Sequence, residues 1–305
     1  MTTFTFIINP KAGKRRRFSG LDSTLRNELS TRDIAAEFLI TEGSGHATEL
    51  ARTAASQVVV AVGGDGTINE VSNGIIGTDK VLGVIPAGSG NDFIKSIGVP
   101  SNLLESLDIL LRGNQSVIDC GTISTGKNES ECSNSFRHFI NGVGIGFDAA
   151  VAERTTHIKH LSGTALYLAA VFQMLGKYDS PDYTIELDSR AITSRNLLIA
   201  IGNGVCAGGG FYLTPTAKVN DGRLDVCLIE SMPVPRILAV MPKVMRGKHD
   251  QINSVQMKKA ETINVSAPQT FFVHADGEIV GNKVNRAEVR IKKAALRVIG
   301  NEAFH

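Results

Sequence analysis

Through the first 120 residues, short apolar runs alternate with helical patterns, which predicts a parallel α/β sheet. Phe4 to Ile8, Ala36 to Ile40, Val58 to Val62, Val81 to Ile85 and Val117 to Cys120 read as strands. Between them Leu21, Leu25 and Leu29 recur at four-residue steps, and Ala47, Leu50, Ala51 and Ala54 mark the apolar face of a second helix. Leu103, Leu104, Leu107, Leu110 and Leu111 repeat the pattern. Beyond a polar stretch from Ser124 to Ser135 the texture changes to short β-like segments punctuated by glycine. These are Phe136 to Asn141, Tyr183 to Leu187, Leu197 to Ile201, Leu224 to Ile229, Thr262 to Val265 and Phe271 to His274. They predict a mainly antiparallel sandwich or barrel-like second half, with helical patterns near Leu161 to Leu175 and Arg236 to Arg246.

Composition narrows the class. At 305 residues the chain has room for two domains, and 42% apolar against 20% charged residues excludes a disordered or fibrous protein. With 32 basic and 30 acidic side chains the net charge is only +2, so no nucleic-acid partner is expected. The longest apolar run, Ala165 to Phe172, is far short of the roughly 20 residues that span a bilayer. The first residues lack the basic region of a secretory signal, which points to a cytoplasmic location. Cys120, Cys132, Cys206 and Cys227 lack zinc-site spacing and read as reduced thiols.

The strongest local signal is Val58-Val-Val-Ala-Val-Gly63-Gly64-Asp65-Gly66-Thr67-Ile68-Asn69-Glu70, a buried strand that ends in a glycine turn and opens a helix. Glycines there let the backbone approach a ligand, and the helix start offers N–H groups to phosphate. A carboxylate inside such a turn repels phosphate unless a divalent cation or water lies between them, so Asp65 points to magnesium-nucleotide chemistry; the competing role is a helix cap. Gly88-Ser89-Gly90-Asn91-Asp92-Phe93 follows the next strand and Asn9-Pro10-Lys11-Ala12-Gly13-Lys14 follows the first, so three turns converge on one sheet edge. Lys14 to Arg17 form a basic run that serves either as a solvated face or as a phosphate or lipid-headgroup contact. None of the turns has the P-loop pattern. Gly142-Val-Gly144-Ile-Gly146 lacks the spacing of a dinucleotide fingerprint and reads as a β-domain turn.

Together, Asn9 to Gly13, Gly63 to Thr67 with Asn69-Glu70, and Gly88 to Phe93 resemble the catalytic domain of the diacylglycerol kinase family, in particular its soluble bacterial lipid kinases. The likeness continues through Asn141 to Asp148, Pro215 to Gly222 and Asp276-Gly277-Glu278. It implies an α/β N-terminal nucleotide-binding domain with a parallel sheet, a larger, mainly antiparallel β-sandwich domain, and a C-terminal strand that returns to the first domain. The expected domains are 1–122, with a tail of about 292–305, and 123–291. ATP is the implied co-substrate, contacted by Asn9, Pro10, Lys11, Ala12, Gly13, Thr41, Gly63, Gly64, Asp65, Gly66, Thr67, Ile68, Asn69 and Ser89.

Asp276 and Glu278, separated by one glycine, lie on a turn and can point into one site, one as proton acceptor and one as electrostatic organiser. The residues alone leave the division open and also allow an acidic hairpin turn. The resemblance assigns the base to Glu278, with Asp276 and Asp65 also catalytic. It further implies a second Mg2+ site in which Asp221 is joined by backbone groups of Lys218 and Arg223, although a metal-free Asn-Asp-Gly turn suits the same residues. Asn220 stands where family members carry a second Asp.

The implied acceptor is a hydroxyl of a membrane lipid such as diacylglycerol, reached by peripheral association with the inner face of the membrane. Arg154, His157, Lys159 and His160, ahead of the apolar stretch Leu161 to Leu175, either present cations and an apolar face to lipid or precede a helix that covers its own core. An exposed strand in the β-rich half allows a homodimer. Two readings compete: an NAD kinase-like phosphotransferase, which shares the Gly-Gly-Asp-Gly-Thr turn, and a non-catalytic nucleotide- or lipid-binding regulator. Asn69-Glu70, Gly88 to Phe93 and Asp276 to Glu278 favour the lipid kinase over the first. The intact carboxylates Asp65, Asp221, Asp276 and Glu278 favour it over the second.

Overall fold

The computed structural model describes residues 4–12, 20–132, 136–158, 161 and 163–301. The chain divides into two compact units, Met1–Ile118 with Ala294–His305, and Asp119–Lys293. In chain order the elements begin with β1 (Phe4–Ile8), α1 (Leu21–Thr31), β2 (Ala36–Ile40), α2 (His46–Thr53), β3 (Val58–Gly63), α3 (Asp65–Ile75), β4 (Val81–Pro86), α4 (Phe93–Ser96) and α5 (Leu103–Arg112). They continue with β5 (Gln115–Gly126), α6 (Glu129–Cys132), β6 (Arg137–Phe139), β7 (Gly142–Gly146), α7 (Phe147–Thr155), α8 (Gly163–Met174), β8 (Asp182–Leu187) and β9 (Arg190–Gly202). Last come β10 (Leu224–Glu230), α9 (Val234–Met245), β11 (Val255–Ala260), β12 (Thr262–Ala275) and β13 (Glu278–Ile299).

The first unit is a parallel sheet in the order β2-β1-β3-β4, extended by the end of β13, where Arg297 and Val298 pair with Val81 and Leu82. The C-terminal strand therefore completes the N-terminal sheet. β3 is buried at all six positions, which explains its unbroken Val-Val-Val-Ala-Val run: a strand covered on both faces has no polar side. Helix α5 starts where the Asn102 side chain accepts from the backbone N–H groups of Leu104 and Glu105, and it stops at Gly113, whose φ of 72° is left-handed. Chain order reverses direction between β1 and β3. That is the topological switch point at which open α/β sheets bind ligands.

The second unit is antiparallel. Its long strands β9 and β12 each pair with β7 along one part and with β8 along another. Alternation along β9 and β10 serves two cores, as period-two side-chain direction requires. Ile199, Ile201, Val226 and Leu228 pack with Ile263 and Phe271, whereas Leu198, Ala200, Cys227 and Ile229 pack under α7, α8 and α9 through Val151, Val171 and Val240.

One expectation is corrected here. Gly142 to Gly146 is strand β7 and not a turn. Its glycines answer to neighbours: a Cβ on Gly144 would lie 2.2 Å from Asp148 Oδ2 and 2.3 Å from His274 Nε2. The polar stretch after Ser124 is also partly regular, since β5 runs on to Gly126 and α6 follows. No helix among the described residues is long and apolar enough to cross a membrane.

Candidate active site

In the first unit β1, β2, β3 and β4 run parallel, so the turns after Ile8, Ile40, Gly63 and Pro86 gather at one edge. Asn9 bridges the switch point. Its backbone N–H donates to the Val62 carbonyl (3.0 Å), its Nδ2 donates to Thr67 Oγ1 (3.0 Å), and its Oδ1 accepts from the Lys11 N–H (2.9 Å). The buried Thr41 joins the same edge, its N–H donating to the Ile8 carbonyl (2.9 Å). Pro10, Lys11, Gly66 and Ser89 are exposed, Ala12 is half-buried, and Ile68 and Asn69 are buried on α3. Gly13 and Lys14 to Arg17 lie outside the described residues.

The two central glycine turns touch. A Cβ on Gly88 would sit 2.4 Å from the Gly64 Cα, so only glycine permits this approach. Asp65 ties the turns together, because its Oδ1 accepts from the backbone N–H groups of Asp92 (2.7 Å) and Phe93 (3.1 Å). Its carboxylate thus caps α4, the helix that follows the second turn. Asn91, with φ 53°, closes the second turn by accepting from the Gly88 N–H and donating to the Gly88 carbonyl. Glu70 caps α2 through the Ala47 N–H (3.2 Å). The N-terminal end of α3 lies at this edge, a positive dipole end suited to phosphate.

In the second unit Asp276 (φ 48°) and Gly277 (φ 84°) form the left-handed turn between β12 and β13. Asp276 Oδ1 accepts from the N–H groups of Asn141 (3.0 Å) and Gly142 (2.8 Å), and its Oδ2 accepts from Ile140 (2.9 Å). This carboxylate is locked to backbone. Glu278 is held instead by one side chain, with Oε2 2.6 Å from Arg137 Nη2, and is 40% exposed.

Behind the turn lies a polar chain. The Gly277 N–H donates to His274 Nδ1 (3.3 Å), which leaves the ring proton on Nε2, donated to Asp148 Oδ2 (2.9 Å). The Tyr167 hydroxyl donates to Asp148 Oδ1. Burial pushes the Asp148 carboxyl up, but the His274 ring and the Tyr167 hydroxyl outweigh it and hold the group below its ordinary 3.8. Asp148 and Tyr167 also line an apolar cavity of about 60 Å³ with Phe147, Phe211, Ile237 and Met241. Sequence reasoning assigned no site role to Asp148, His274, Tyr167 or Arg137. A signal existed for His274, which stands two residues before Asp276.

The loop of Lys218, Asp221 and Arg223 forms a second cluster. Asp221 Oδ1 accepts from the Arg223 N–H (3.0 Å), and Lys259 Nζ lies 2.7 Å from Asp221 Oδ2 and 3.1 Å from Asp225 Oδ2. Burial works against the Lys259 charge, but the two carboxylates outweigh it and raise its pKa. Among the described residues no three or more His, Cys, Asp or Glu side chains gather to hold a metal ion. Arg154 donates to Gln173 and His157 meets Glu153, while Lys159 and His160 lie outside the described residues.

Two family models match the chain: "Diacylglycerol kinase catalytic domain" over residues 3–123 and "YegS C-terminal NAD kinase beta sandwich-like domain" over residues 141–300. The diacylglycerol kinase of Staphylococcus aureus (strain bovine RF122 / ET3-1) is 30% identical over 282 residues, covering 90% of this chain and 85% of that protein. That of Staphylococcus saprophyticus is 30% identical over 281 residues, covering 90% and 88%. The crystal structure of a diacylglycerol kinase from Bacillus anthracis str. Sterne superimposes with a TM-score of 0.69 at 20% identity, covering 100% of this chain and 98% of that one. An NAD kinase from Archaeoglobus fulgidus in complex with ATP gives a TM-score of 0.51 at 14% identity, covering 99% and 95%, and shares the fold alone. Both family models and relatives aligned along most of the chain therefore agree with its glycine turns and returning C-terminal strand: the chain belongs to the diacylglycerol kinase family, kinases that transfer phosphate to an alcohol.

Proposed function

We propose that this protein is an ATP-dependent lipid kinase, which passes the γ-phosphoryl group of ATP to a hydroxyl of a membrane lipid of the diacylglycerol type, with Glu278 as general base. The observation that carries the lipid reading is the cavity beside Asp148. It is walled by Phe147, Phe211, Ile237 and Met241 and has a carboxylate and a phenol at one side, the chemistry of an acceptor with an apolar tail and a hydroxylated head, and at about 60 Å³ its walls must part to admit an acyl chain. A dinucleotide, with its charged pyrophosphate and hydroxylated riboses, has less to gain from such walls. Met241 is a flexible side chain that can yield to an acyl chain. α8 and α9, which line this cavity, also expose Phe172 and Leu238, an apolar surface compatible with peripheral membrane contact.

In this reading the first unit supplies the nucleotide site: the Gly63 to Thr67 turn and the α3 N-terminus receive phosphates, and Asn9, Thr41 and Ser89 complete the edge. Mg2+ brought by the nucleotide would neutralise phosphate charge, and Asp65 would be the carboxylate to hold it at this edge. In the second unit Asp276, fastened by three N–H groups, keeps the turn in place. Arg137 orients Glu278, which takes the proton of the lipid hydroxyl as the oxygen–phosphorus bond forms and the bond to ADP breaks. The test is to incubate purified protein with γ-labelled ATP, Mg2+ and mixed micelles carrying diacylglycerol, phosphatidylglycerol, a sphingoid base, ceramide or a polyprenol, alongside NAD. Label is expected in a lipid. Label on NAD supports the competing dinucleotide reading, and label on no acceptor supports the non-catalytic one.

A further inference from the structure

We infer that the Lys259 ammonium takes the place of a divalent cation at the Asp221 loop, so that this loop is held by an internal cation and requires no metal. The antiparallel register of β10 and β11 sets Lys259 directly opposite Asp225. From there Nζ donates to Asp221 Oδ2 (2.7 Å) and makes an ion-pair contact, without the alignment of a hydrogen bond, with the buried Asp225 Oδ2 at 3.1 Å. The remaining oxygens are occupied as well: Asp221 Oδ1 accepts from the Arg223 N–H (3.0 Å), and Asp225 Oδ1 accepts from the Thr216 hydroxyl (2.7 Å).

Asp225 is 2% exposed, and a buried carboxylate needs a compensating cation. Lys259 supplies it on a covalent tether. Mg2+ demands a near-octahedral set of oxygens at about 2.0–2.1 Å and tolerates no N–H donor or ammonium within that shell.

The clamp reaches further than its own loop. The Gly222 N–H donates to Asp119 Oδ2 (2.7 Å), and the Asp119 N–H donates to the Val219 carbonyl (2.6 Å). Asn203 Nδ2 donates both to the Asp119 carbonyl (2.9 Å) and to the carbonyl of Ile140 (2.8 Å), whose own N–H holds Asp276. Lys259 thereby secures the loop that packs against the backbone supporting the Asp276 turn.

The experiment uses the full-length protein without nucleotide: metal content after dialysis, and melting temperature in EDTA and in millimolar Mg2+, for wild type, Lys259→Met, Lys259→Arg and Asp221→Asn. Wild type is expected to carry no stoichiometric metal and to melt at the same temperature with and without Mg2+. Lys259→Met is expected to melt several degrees lower, and Lys259→Arg to recover most of the loss. One equivalent of Mg2+ retained through dialysis, a Mg2+-induced rise that Asp221→Asn abolishes, or a Lys259→Met protein that melts like wild type overturns the inference. If Lys259→Met fails to fold, the wild-type measurements decide alone. None of these readouts depends on which acceptor is phosphorylated.

Discussion

Asp65 Oδ1 lies 2.7 Å from the backbone nitrogen of Asp92, so a carboxylate from one glycine turn caps the helix that follows the other. The turns after β3 and β4 form one mechanical piece, and Asp65 has a positioning task separate from its charge. Two substitutions separate the tasks. Asp65→Asn retains an oxygen that accepts from the Asp92 and Phe93 N–H groups and is expected to melt near wild type while losing ATP-dependent turnover. Asp65→Ala loses both and is expected to be destabilised by about 1 kcal/mol as well. Thermal melts with a turnover assay check this, and unchanged turnover and Mg2+ requirement in Asp65→Asn contradict a role for the charge.

Gly88→Ala tests the contact between the turns. The added methyl meets the Gly64 Cα at 2.4 Å, backbone against backbone, so the turns must separate. A loss of about 1–3 kcal/mol is expected, together with weaker ATP binding by calorimetry. An unaltered ATP affinity contradicts the placement of the phosphates.

Acid is expected to destabilise the fold well before carboxylates titrate. Burial, followed by the charge of Lys292, pushes His138 below the ordinary 6.5, against a backbone bond to Gly121. Burial does the same to His249, against the Leu213 carbonyl and Asp250. Below 6.5 the unfolded chain takes up protons that these folded imidazoles refuse until their lower pKa values are reached, so stability falls as pH falls through that window. Asp148 acts later: its depressed pKa adds stability above 3.8 that is lost as pH drops through the folded value. The melting temperature is expected to drop from about pH 7.5 to about pH 5.5, and to drop less in His249→Gln. A flat profile in wild type contradicts this.

How much of this was legible in the sequence depended on how local each cause is. β1 to β4 were visible because buried parallel strands are unbroken apolar runs, and the three glycine turns because each follows one. The geometry behind the proposed division between Asp276 and Glu278 was not. It rests on which backbone N–H groups meet Asp276, and those come from residues about 135 positions away. The pairing of Asp148 with His274 spans 126 positions, and Lys259 reaches Asp221 through a strand register that no local pattern encodes. Glycine usually punctuates a sequence, so Gly142 to Gly146 reads as a turn. In β7 the middle glycine, Gly144, is required by the polar groups of Asp148 and His274 pressed against the strand, and Gly142 by the Ile201 carbonyl of the neighbouring strand.

The most direct measurement of the central claim pairs nucleotide affinity with lipid phosphorylation in Glu278→Gln. The substitution keeps the size of the side chain and removes the proton acceptor. Loss of a general base lowers the rate by about 10²–10⁴, so kcat for phosphate transfer to diacylglycerol is expected to fall by that factor while ATP binding stays near wild type. A Glu278→Gln enzyme that keeps most of its turnover, with Asp276→Asn losing it, contradicts the assignment of the base.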